Sequence, residues 1–119
     1  MTIRKGETGK SIYVITGFDM SQQTSLEILA VPPSGETNQH TWACTIDSVG
    51  FTSRTLEDGS ASGSVAAYTS MYYTLAASSD LDEAGVWTLV GRYTNTSATP
   101  DDVFLSDPIS LTVLDDNIA

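Results

Sequence analysis

The stretch "LDEAGVWTLVGRY", residues 81–93, decides how this sequence is read. Asp82 and Glu83 stand close to Asp80, which poses a carboxylate site for a metal ion or for catalysis. From Val86 onward, however, apolar and polar residues alternate, and a period of two belongs to an extended strand with one buried face. The cluster then reads as the corner before a strand. Glu83 and Gly85 turn the chain, Trp87 and Leu89 enter the core, and Asp82 faces solvent.

The same period recurs on either side. "SIYVIT" (11–16) is a first strand. "TSLEILAV" (24–31) is a second, with Leu26, Ile28 and Ala30 on one face and Ser25 and Glu27 on the other. "PPSG" (32–35) ends it, since proline has no N–H for a ladder and glycine supplies the turn. "HTWACTID" (40–47) is a third strand with Trp42, Cys44 and Ile46 inward. Residues 49–64 show no sustained period and end in a Gly-Ser run, so they read as a long loop that could hold one short edge strand. "SVAAYTSMYYTLAA" (64–77) is one bent strand or two short ones, and "VWTLVGRYT" (86–94) follows the corner. "FLSDPISLTVLD" (104–115) closes the domain, with Pro108 at a bulge or edge. Sixteen Thr, fifteen Ser, five Tyr and nine Gly suit strands and turns. About seven short strands with regular turn signals predict one all-β antiparallel β-sandwich, with a small barrel as the alternative.

Composition narrows the function. The 119 residues carry 5 basic and 15 acidic side chains, a net charge of -10, which opposes nucleic-acid binding because phosphate contacts need Lys and Arg. No apolar run approaches the roughly 20 residues of a membrane helix, so no membrane partner is expected. The polar start "MTIRKGETGK" carries no secretory pattern, so a complete reading frame made and assembled in a cytoplasm is expected. Arg4, Lys5 and Lys10 give the first ten residues a charge of +2 against -12 for the rest, which predicts a basic arm at 1–10, a sandwich at 11–115 and a tail at 116–119. Such an arm could reach an acidic neighbour or lie as a solvated terminus.

Catalytic patterns are weak. His40 is the single imidazole and "GSASG" (59–63) has Ala61 where a nucleophile would stand, so no serine hydrolase is expected. Cys44, the single cysteine, lies on an inward face and reads as a small core residue, with no disulfide. No glycine-rich loop leads into a helix, so no nucleotide site is indicated. Asp80, Asp82 and Glu83, then Asp101 and Asp102, then Asp115 and Asp116 could supply oxygens to calcium, but lack the spacing that wraps one ion in one loop. No metal or cofactor is therefore assigned. Tyr68, Tyr72, Tyr73 and Tyr93 could offer faces to a sugar or simply pack across strands.

Residues 83–89, "EAGVWTL", resemble the D-x-G-x-Y-x-C lead-in to strand F of immunoglobulin-like domains. Trp87 stands for the corner tyrosine, so an N–H replaces an O–H, and Leu89 stands for the disulfide cysteine. On this resemblance Trp42 corresponds to the core Trp of strand C, with Leu26 or Ile28 replacing the other half of the bridge. A wider resemblance spans about residues 3–114 through "KGETGKSIYV", "GFDMSQQTSLEILAVPPSG", "TWACTI", "SDLDEAGVWTL" and "ISLTVLD". In this order they are similar to small virion proteins of tailed bacteriophages, like the N-terminal domain of the siphophage baseplate upper protein. The resemblance implies a non-enzymatic immunoglobulin-like sandwich that docks onto other phage virion proteins, often as a homo-oligomer, in tail, baseplate or fibre. Capsid decoration and carbohydrate binding for host adsorption are the alternatives. Arg4, Lys5, Lys10, Phe51 and Arg54 are the candidate partner contacts, from the basic arm and the 49–64 loop.

Overall fold

Strand β7, Gly85–Asn95, is the axis of the computed structural model, which describes residues 3–53, 63–97 and 99–115. Eight further strands are formed among these residues: β1 (Ile3–Arg4), β2 (Ser11–Ile15), β3 (Ser25–Val31), β4 (His40–Ala43), β5 (Thr45–Ile46), β6 (Ser70–Thr74), β8 (Asp102–Leu105) and β9 (Ile109–Leu114). One sheet runs β1-β9-β7-β3-β4, with β8 also on β7; the other runs β2-β6-β5. All pairings are antiparallel except β1 with β9. The chain is an all-β sandwich without a disulfide. In immunoglobulin terms the small sheet is B-E-D and β9-β7-β3-β4 is G-F-C-C′.

The alternation sorts side chains as the sequence dictates. Leu26, Ile28 and Ala30 of β3, Trp87 and Leu89 of β7, Leu111 and Val113 of β9, and Ile12 and Val14 of β2 fill one core. Their intervening neighbours face outward on the two sheets. At Gly91 on β7 the two sheets approach closely, since a Cβ there would lie 2.9 Å from Val14 Cγ1 and 3.2 Å from Met71 Cε.

This corrects the strand correspondence of Trp42. Ser11–Ile15 occupies the strand B position in the small sheet, so Ser25–Val31 takes position C beside β7, and Trp42 lies one strand further out, on the edge strand β4. Leu26 and Ile28 share a sheet with β7, with Ile28 opposite Gly91, and so cannot replace a bridge between sheets. Val14 and Met71 face β7 from the other sheet, at Gly91.

The predicted third strand also divides. Its first half, β4, pairs with β3, and its second half, β5, pairs with β6 in the other sheet. The change of sheet occurs at Cys44, whose N–H still donates to Leu26 at 2.8 Å. Burial pushes its thiol up to about 12, so it remains neutral. Among the described residues, the expected basic arm likewise begins within the larger sheet and not as a projecting segment. Ile3 is fully buried, Ile3–Arg4 pairs in parallel with Val113–Leu114, and Lys5 N–H donates to Leu114 at 2.8 Å. The burial of Ile3 overrides the charge pattern that suggested separation.

Candidate functional site

The corner before β7 is built from backbone and carboxylate contacts. Gly85 adopts a φ of 126°, a region that disfavours side chains, and a Cβ there would fall 2.6 Å from Pro33 Cγ. Glu83 accepts from Ser34 N–H at 3.2 Å and Ser34 Oγ–H at 2.6 Å, which fastens the corner to the Pro32–Gly35 turn. Trp87 Nε1–H donates to the Glu83 carbonyl at 2.9 Å. Glu83, Gly85 and Trp87 meet at this corner, and Leu89 lies buried further along β7.

The neighbouring carboxylates diverge. Asp80 Oδ2 accepts from Tyr73 O–H at 2.7 Å and from the N–H groups of Ala76 and Ala77 at 2.9 and 3.1 Å. Burial alone would raise this carboxyl; the three hydrogen bonds outweigh it and hold the group below its ordinary value. Asp82 lies 3.3 Å from His40 Nε2, while Glu83 faces Ser34. No set of three metal-ligating side chains converges among the described residues. His40 stacks on Trp87, with ring centroids 5.6 Å apart, and its Nε2 faces Asp82.

The tyrosines do not assemble into one groove. Tyr93 is buried, and Tyr73 stacks on Trp42 at 5.1 Å between the sheets. Tyr72 packs beside Tyr13 on the outside of the small sheet, and Tyr68 sits in a connection with φ 63°. The aromatics instead serve packing in three separate places.

The candidate contacts are also dispersed. Arg4 Nη1 donates to the Asp115 carbonyl at 3.3 Å, Lys10 pairs with Glu7, and Lys5 follows the β1–β9 ladder. Phe51 forms an isolated bridge with Val65 and packs edge-on against Tyr13 at 5.6 Å. Arg54 lies outside the described residues. These residues form no common surface in the described structure.

A different surface does stand out. All four residues of β8, "DVFL", are exposed, with Val103 at 52%, Phe104 at 50% and Leu105 at 60%. The register puts Val103 beside Thr94 and Leu105 beside Arg92 on the outer face, and Phe104 beside Tyr93 on the inner one. Phe104 rests on Phe18 and Tyr93 at centroid distances of 5.6 and 5.8 Å. The strand thus carries apolar side chains on both faces. The sequence carried a signal for this: three apolar residues in a row, between "DD" and "SDP", break the alternation of a half-buried strand.

No protein-family description matches the chain, and neither a curated protein nor a solved structure matches it. The class it defines is that of a disulfide-free all-β sandwich. Its most conspicuous surface is an apolar strand edge.

Proposed function

We propose that this chain is a non-enzymatic structural protein of a tailed bacteriophage particle, made and assembled in the host cytoplasm, that docks onto other virion proteins as a tail, baseplate or fibre connector. The observation that carries docking is β8, where Val103, Phe104 and Leu105 are half or more exposed on an edge strand. Apolar side chains in that number on an otherwise acidic surface favour burial against a partner. The phage assignment rests on the ordered motifs of residues 3–114, and symmetric arrangement of several copies in the particle belongs to the same reading.

The test is to locate the chain in purified phage particles by electron microscopy with a specific antibody fragment. Density at the tail or baseplate supports the proposal. Density over the head lattice would replace it with capsid decoration, and absence from particles would overturn it. Glycan binding by the isolated chain would instead favour a role in host adsorption.

A further inference from the structure

Among the described residues, β8 is an edge strand whose outer hydrogen-bonding side meets no other strand. Ser106 N–H donates to Gly91 at 2.8 Å, and Phe104 lies directly opposite Tyr93. In an antiparallel ladder the main-chain groups of alternate residues point the same way. Those of Phe104 and Ser106 therefore face β7, and those of Val103 and Leu105 face away. No strand pairs with that outer side among the described residues. Ser106 Oγ accepts from Gly91 N–H at 2.8 Å, which ends the ladder, and β9 then continues along β7 from Ile109.

The charges bracketing this edge are of one sign. Asp101, Asp102 and Asp107 are exposed around Val103–Leu105. Arg92, the cation beside Leu105 in the register, is paired with Glu27 at 2.5 Å. Two copies of β8 placed edge to edge would bring these carboxylates together in a chain already at -10. The same charges attract a strand with basic ends.

We propose that β8 receives a β-strand from a different protein, added to its outer edge, with apolar residues at its centre and Lys or Arg at its ends. This rests on the docking reading above and names the chemistry of the partner. Main-chain bonds to Val103 and Leu105 would supply affinity, and the flanking aspartates would set partner choice. Four residues of β8 span about 13 Å, so a partner segment of five to seven residues suffices.

The test uses the whole chain, labelled with nitrogen-15, and two synthetic seven-residue peptides, KTVTVTK and ETVTVTE, titrated by NMR. The expected result is perturbation centred on the Val103 and Leu105 amides by the basic peptide alone, weakening as salt rises. Replacing Asp101, Asp102 and Asp107 together by Asn should weaken that binding by about tenfold at low salt. Val103→Pro should abolish it while leaving the fold intact, since the lost N–H is not one that β7 uses. If that variant unfolds, Leu105→Lys gives the same reading through the side chain. Equal binding of both peptides, or no perturbation at β8, overturns the proposal. A dimer of the chain alone that Val103→Pro dissolves also overturns it, in favour of a second copy. If the peptide fails while the chain is found in particles, strand addition is wrong and docking stands.

Discussion

The indole Nε1–H of Trp87 donates to the carbonyl oxygen of Glu83 at 2.9 Å, four residues earlier in the chain. This bond closes the corner through which the chain enters its central strand, while the ring itself is completely buried. Trp87→Phe removes the donor and part of the ring, leaves the Glu83 carbonyl without that partner, and should destabilise by about 2–4 kcal/mol. Trp87→Tyr, which retains a polar hydrogen, should lose less. Urea unfolding checks the order, and a phenylalanine variant as stable as the tyrosine variant contradicts the corner.

Trp42 offers the comparison within the same molecule. It is buried on β4, stacked on Tyr73, yet its Nε1 has no hydrogen-bond partner among the described residues. Trp42→Phe removes an unsatisfied donor along with ring area, so its loss should be smaller than that of Trp87→Phe by about 1 kcal/mol or more. Parallel denaturation curves decide this, and equal losses would show that the Glu83 bond contributes little.

Gly85→Ala places a side chain where φ is 126° and Pro33 Cγ stands 2.6 Å away. A cost of about 1–3 kcal/mol is expected from the backbone region alone, with the collision added. Pro33→Ala in the same chain should recover the part due to collision. Thermal melts of the single and double variants measure both shares.

The fold was legible where burial is one-sided. Ser25–Val31 and Gly85–Asn95 are flanked by strands and buried on one face, so their alternation states the fold directly. Trp42 was harder, because an inward aromatic looks alike on strand C and on the next strand out; only the pairing with β3 separates them. The change of sheet at Cys44 leaves the alternation of residues 40–47 intact, so one strand and two halves read alike. Arg4 and Lys5 suggested a free arm because charge is visible in sequence, whereas the parallel pairing of Ile3 with Val113 is not. Val103–Leu105 carried a readable signal, but only the register with β7 shows that Val103 and Leu105 lie on the outer face.

Alkaline pH should weaken the fold through Tyr73 and Cys44. Burial first, then the bond to Asp80, raises the Tyr73 hydroxyl from 10.0 to about 12, and burial raises the Cys44 thiol from 9.0 to about 12. A raised folded value means the contribution is complete below the unfolded one and is lost as pH climbs towards the folded one. Unfolding midpoints should therefore fall between about pH 9 and 12, and Tyr73→Phe with Cys44→Ala should flatten that decline. Asp80, held low, acts oppositely: its contribution is present above the ordinary carboxylate range and disappears as pH falls. An unchanged alkaline slope in the double variant contradicts this assignment.

Leu105→Lys should leave stability within about 0.5 kcal/mol, since the side chain is 60% exposed. Thermal unfolding of the purified variant checks it. A large loss would mean that Leu105 holds the sandwich itself together and is not a surface for another chain.

The central claim is that the outer edge of β8 is where this protein meets its partner, and amide hydrogen exchange at Val103 and Leu105 tests it most directly. In the isolated chain both amides, pointing away from β7, should exchange rapidly, and in chain docked within purified particles both should slow by about tenfold or more. Equal rates in the free and docked states, with the chain demonstrably present in the particles, would contradict the account.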